Sequence, residues 1–422
     1  MQNVTLVRGA RQLLTLRGPR GPRRGIDLNN LGVIQDGSLL IVNGRVEEIG
    51  PSRRVENLSL ARRADEVDAT GRIVMPGFID CHTHLAGGPV RPIDTKSIEP
   101  GDPESASVTD SSRLALARAI HEISPRRLEA HALHTVLDAI RHGTTTLESK
   151  SGLGLTEANE LKMLRVQAAL KRHSIPLFST FLFNASWPQF RGDTKHQIDW
   201  TCSHMLPLVK RRKLADFVEI DCARGRFSLD ELRRFFAAAA QLKLRAKISA
   251  AAEKATLELA GGLDAVCFDD AGGISAADAG ALARAVSLAV LLPARTFCAN
   301  TANGAANARA LIDAGAAIAI ATGYHPDNCT SNSMQSMIAL ACRSLRMSAA
   351  EAVSAATINA AHASGCAAVT GSLEAGKAAD LLILSVPDYR EIPYHFGVNL
   401  VESVMKNGRT VVRRSEVEWP AL

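Results

Sequence analysis

Both ends of the chain consist of short apolar or β-branched runs separated by turn residues. The long middle alternates such runs with Ala- and Leu-rich stretches of helical period. Near the start, Val4-Thr5-Leu6-Val7 alternates as a strand does, and segments 37–42 and 45–49 flank Asn43-Gly44, a strong two-residue hairpin signal. Near the end, 380–384 and 400–405 read as strands, and Asn407-Gly408 leads into a third at 410–412. This predicts a small β-domain assembled from residues 1–72 and 370–422 around a middle domain, 73–369. Eight strands are predicted in the middle, at 73–81, 144–150, 177–183, 217–221, 246–250, 265–269, 289–292 and 317–322. Helical patterns such as 157–172 and 229–242 separate them, the latter opening with Ser228 and Glu231 at capping-box spacing. The fold class is α/β, and eight strand–helix units favour a (β/α)8 barrel over a doubly wound open sheet.

Composition fits that picture and narrows the function. At 422 residues, 46% hydrophobic and 22% charged, the chain can bury a large core. Aromatic residues make up only 4%, too few for a base-stacking surface. The net charge of +6 is local: residues 1–26 carry Arg8, Arg11, Arg17, Arg20, Arg23 and Arg24 and no acid. No polyanion-binding face is indicated, so no nucleic-acid partner is expected. No apolar run is long enough to span a membrane, the start lacks a secretory-signal pattern, and the eight cysteines are scattered. A cytoplasmic protein with reduced thiols is expected.

Barrel chemistry sits at the C-terminal ends of strands. The first predicted strand ends in Pro76-Gly77-Phe78-Ile79-Asp80-Cys81-His82-Thr83-His84. Residues two apart on a strand face the same way, so His82 and His84 can point into one cavity and chelate a divalent cation. Alone, such a pair is weak evidence; the preceding segment gives it weight. Asp269 and Asp270 are adjacent, face opposite ways and read as a solvated turn. His131, His134 and His142 read as a polar helix face.

With these residues the chain resembles the metal-dependent amidohydrolase superfamily and, within it, the imidazolonepropionases. Further matching segments are 143–155, 160–165, 289–293, 357–361 and 371–381, and the resemblance spans nearly the whole sequence. It implies a TIM-like barrel with a composite β-sandwich, a homodimer, and one zinc or iron ion. That ion would activate a water to open a cyclic amide, imidazolone propionate, to formiminoglutamate. His82 and His84 match its metal ligands, and Arg91 matches the arginine that grips the substrate carboxylate. Lys150 lies in the mononuclear pattern Ser149-Lys150-Ser151-Gly152 and is not assigned to metal.

Other positions depart from the pattern. Ser249 replaces the histidine ligand after strand five and Gly323 the aspartate after strand eight, while Ala252 falls at the proton-transfer position. Cys267, Leu153, Ala185, Ala223 and His325 replace further site residues. The replacements cluster at strand ends that would line one pocket, so the ancestral hydrolysis is in question. Cys267 and His325 could serve as extra donors in a rebuilt site; the alternative is a buried thiol and a loop histidine. Three functions are weighed: a metal-dependent hydrolase acting on a cyclic amide, a catalytically silent paralogue that binds a small carboxylate ligand, and a structural partner of an active paralogue.

Overall fold

The computed structural model describes residues 3–88, 110–173, 176–190, 192–222, 227–249, 257, 262, 265–285, 288–298, 304–326 and 329–414. Arg91, Ala223 and Ala252 lie outside the described residues.

Two sheets organise the chain. The first takes strands from both ends: β1 (Val4–Leu14), β2 (Val33–Val42), β3 (Arg45–Pro51), β4 (Asp65–Asp68) and β5 (Ile73–Pro76), with three strands from the C-terminal part of the chain. The second comprises β6 (Phe78–Thr83), β7 (Thr144–Lys150), β8 (Leu177–Phe183), β9 (Phe217–Asp221), β10 (Arg245–Ser249), β11 (Ala265–Asp269), β12 (Ala289–Leu291) and β13 (Ile318–Ile320). The C-terminal strands β14 (Leu381–Leu384), β15 (Val401–Lys406) and β16 (Arg409–Arg413) complete the first sheet, in the order β16-β15-β14-β5-β1-β2-β3 with β4 beside β1.

The eight strands of the second sheet are parallel and pair in sequential order, which is barrel rather than doubly wound topology. Thr83 forms a parallel bridge with Tyr324, bringing the chain after β13 back to β6. His84 N–H donates to Tyr324 O (2.8 Å) and Gly323 N–H to His82 O (3.1 Å) across this seam. The closure therefore runs through the His-x-His segment itself.

One predicted strand divides. The run expected over 73–81 is two strands in two sheets: β5 pairs with β1 and β14, whereas β6 pairs with β7. The break falls at Gly77, where a Cβ would run into the Thr145 side chain. Its N–H donates to Asp380 O in the first sheet (3.0 Å), and the next residue, Phe78, donates to Gly143 O beside the barrel (3.0 Å). Only the absence of a side chain permits that crossing.

Local signals elsewhere hold. Asn43 (φ 51°) and Gly44 (φ 81°) join β2 to β3, and Asn407 (φ 47°) and Gly408 (φ 70°) join β15 to β16, each in the left-handed conformation a type I′ hairpin requires. Ser228 and Glu231 form the reciprocal capping box on helix Leu229–Gln241. The main core lies between barrel and helices and includes Trp187, Phe183 and Phe235, with the two phenylalanine rings stacked at 6.1 Å. Among the described residues, no helix is long and apolar enough to cross a membrane.

Candidate active site

Period-2 alternation along the barrel strands turns one set of side chains inward. The inward set is strongly charged. Glu148 and Lys150 on β7, Glu219 on β9, Lys247 on β10 and Asp269 on β11 are all buried, with fully inaccessible side chains. Lys150 Nζ lies 3.1 Å from Glu148 Oε1 and 2.7 Å from Asp269 Oδ2, and pairs with Glu219 Oε2. Lys247 Nζ donates to Glu148 Oε2 (2.5 Å) and stands 4.5 Å from the centre of the Phe217 ring. The Thr180 hydroxyl also donates to Glu148 (2.8 Å).

His82 joins this cluster through Asp269. Its Nδ1 is 2.7 Å from Asp269 Oδ1. Burial alone would push the Asp269 carboxyl up, but His82 and Lys150 outweigh it and hold the group well below the usual carboxylate range. An ionised carboxylate can only accept, so His82 Nδ1 carries a proton and donates it. Burial likewise works against the Lys150 ammonium, and the three surrounding carboxylates override it, raising its pKa well above the ordinary lysine value. Asp269 is therefore not in a solvated turn. Only Asp270, the neighbour facing the other way, reaches a surface cation, Arg295.

The histidines form a chain of edge-on contacts. His82 and His84 rings are 5.5 Å apart, and His84 and His325 are 5.2 Å apart. His84 Nδ1 is buried without a hydrogen-bond partner. The short loop after β13 holds His325 by backbone hydrogen bonds, its N–H donating to Cys329 O at 2.7 Å and Cys329 N–H to His325 O at 3.2 Å. Burial pushes the imidazole of His84 well below its ordinary pKa and that of His325 down to about 3, so both are neutral at pH 7. A depressed imidazole pKa contributes stability that is complete above the unfolded value of about 6.5 and is lost as pH falls from there. For His325 the expected loss between pH 7.5 and pH 5 is roughly 2 kcal/mol. Urea unfolding at the two pH values measures it, and His325→Gln should shrink the difference; an equal difference in the variant refutes this assignment.

Cys267 joins no ligand set among the described residues. It packs with Cys81, Leu292 and Ala360 in an apolar cluster, and burial pushes its thiol up to about 12. Ser249 is buried and its hydroxyl faces the Ile220 carbonyl at 3.5 Å. Gly323 has φ +61° and contributes no donor side chain. The loop after β7 is pinned by Glu160, whose buried carboxylate accepts from Gly152 N–H (2.7 Å), Gly154 N–H (2.7 Å) and Leu155 N–H (3.2 Å).

The amidohydrolase family pattern matches residues 73–411. The chain is 37% identical to the imidazolonepropionase of Geobacillus kaustophilus (strain HTA426), covering 97% of this chain and 98% of that one. It is 35% identical to the imidazolonepropionase of Clostridium tetani (strain Massachusetts / E88), with the same coverage. This chain belongs to the amidohydrolase family. Within it, the chain is imidazolonepropionase-like. Among solved structures, a triazine hydrolase variant superposes with a TM-score of 0.71 at 17% identity, covering 97% of this chain and 95% of that one. The Aspergillus niger ochratoxinase gives 0.69, also at 17%, with 98% and 96% covered. At that identity the likeness concerns the barrel fold.

Members of this family are usually metal-dependent, so the donor set of the imidazolonepropionase-like chain decides what it can hold. Among the described residues, one set of three or more His, Cys, Asp or Glu has its ligand atoms within 4.8 Å of one another: Glu148, Glu219 and Asp269. That set already surrounds the Lys150 ammonium. At the mouth, His82 and His84 remain, but positions 249 and 323 supply neither the third imidazole nor the carboxylate of a closed zinc shell. Among the described residues, none completes the shell that the family's metal needs.

Proposed function

We propose that this chain is an imidazolonepropionase-type protein that recognises a small cyclic amide bearing a carboxylate. Hydrolysis of the ring C–N bond is reduced by about 10²–10⁴-fold, the scale on which a positioned proton-transfer group acts. The observation that carries this reading is the division of the site: His82 and His84 persist while Ser249 and Gly323 offer no matching ligands. His84 and His325 present neutral imidazoles. Asp269 holds the His82 ring through Nδ1 and leaves Nε2 for a ligand, and the uncharged His84 can pair with a polar group of the ligand without adding charge. Arg91 is the proposed partner of the ligand carboxylate.

The test is imidazolone propionate added to the purified full-length chain, with thermal denaturation and ring absorbance followed in parallel. A ligand-dependent rise in melting temperature without turnover on the ordinary enzymatic scale is expected. Turnover at the usual 1–10³ s⁻¹ (order of magnitude) would overturn the loss of hydrolysis. An unchanged melting temperature would overturn the recognition.

A further inference from the structure

The charged centre of the barrel is built for a cation, and the chain supplies the cation itself. Glu148, Glu219 and Asp269 bring three buried carboxylates together from β7, β9 and β11. Three carboxylates so close cannot all ionise without positive charge between them. A protonated lysine carries three N–H donors, and Lys150 Nζ meets one oxygen from each of the three groups. Lys247 adds a second positive charge on Glu148, from the other side of the same carboxylate. An independent sign of a cation-binding centre is Glu219 Oε1, a fully buried carboxylate oxygen with no hydrogen-bond partner.

We propose that this triad is a cation site whose resident occupant is the Lys150 ammonium, and that the ammonium excludes a divalent ion from it. Oxygen-coordinated divalent ions need carboxylate oxygens at about 2.0–2.6 Å. Those oxygens are the ones Lys150 engages, so ammonium and ion compete for one position. The occupant also reaches the mouth of the barrel. Asp269 stands 2.7 Å from the Lys150 ammonium through Oδ2, as an ion pair, and accepts from His82 Nδ1 on Oδ1 (2.7 Å), so one carboxylate ties the buried cation to the imidazole. Lys150 thereby acts as a positioning residue for His82. This inference is independent of the ligand reading above and stands whether or not imidazolone propionate binds.

The experiment titrates Mn²⁺ into four full-length proteins: wild type, Glu219→Gln, Lys150→Ala, and Lys150→Ala with Glu219→Gln. Binding is read by the loss of the free-ion paramagnetic resonance signal and by thermal denaturation. Wild type should bind no Mn²⁺ in a manner that Glu219→Gln abolishes, and its melting temperature should be the same with Mn²⁺ or a chelator. Lys150→Ala should melt lower, bind one equivalent of Mn²⁺ and recover part of its melting temperature; adding Glu219→Gln should remove that binding. Glu219-dependent Mn²⁺ binding by wild type, or a folded Lys150→Ala that binds none, would overturn the proposal. A wild-type measurement covers the case in which the variant fails to fold. In ¹⁵N-lysine-labelled protein, slowly exchanging ammonium resonances from Lys150 and Lys247 are expected, with Lys247→Met removing one and leaving the other. Absence of any protected ammonium resonance would sink the idea on its own.

Discussion

Glu148→Ala is expected to lower the unfolding free energy by about 3–5 kcal/mol, the cost of leaving buried charge without its partner. Glu148 accepts from Lys150 on Oε1, from Lys247 on Oε2, and from the Thr180 hydroxyl. Its removal hurts the two lysines unequally. Lys150 keeps Asp269 and Glu219, whereas Lys247 is left against the face of Phe217, which offers only a weak quadrupole attraction. Neither ammonium can reach water without opening the barrel. Urea melts of wild type and variant measure the loss, and a cost below about 1 kcal/mol would mean that water enters the cluster. The double variant Glu148→Leu with Lys247→Leu removes charge in balance and should lose less than the two single changes added together. Buried pairs replaced together by apolar groups are often close to neutral, so the cycle separates pairing from packing.

The second large effect runs the other way. Ser249→His combined with Gly323→Asp should raise zinc affinity by at least about tenfold, equivalent to about 1.4 kcal/mol. Ser249 ends β10 on its inward face and is buried, so an imidazole there is carried on the same strand edge that lines the mouth. Position 323 is harder to fill. Its φ of +61° lies in the left-handed region, which Asp tolerates better than most residues, and a Cβ would stand 3.2 Å from Leu292 Cδ1. That neighbour is the tip of a flexible side chain, so the strain is of the order of 1–2 kcal/mol and leaves the fold standing. Competition against a chromogenic chelator gives the affinity directly. An unchanged value would show that the mouth has drifted beyond repair by two donors.

The parts of this molecule that were legible in the sequence are those set by local pattern. The hairpins at Asn43-Gly44 and Asn407-Gly408, the capping box at Ser228 and the eight alternating units each depend on neighbours within a few residues. The charged cluster does not. Glu148, Lys150, Glu219, Lys247 and Asp269 are spread over four strands, and only closure of the barrel brings them together. A signal was nonetheless present: each is a charge at the inward parity of an apolar barrel strand, where it must find a partner or unfold the strand. Asp269 and Asp270 do face opposite ways, but one of those directions leads inside the barrel to Lys150, which a solvated turn does not allow for. The division of the 73–81 run is not written in the pattern for a different reason. An unbroken apolar stretch does not record which sheet it serves, and only Pro76-Gly77 marks the change.

That crossing at Gly77 bears on how the molecule can move. One residue separates a strand locked into the terminal sheet from a strand locked into the barrel, and each side is hydrogen-bonded to its own body. There is no slack for a hinge at this joint. A change at Gly77 is therefore felt in both sheets at once, because the residues on either side of it are hydrogen-bonded to different ones.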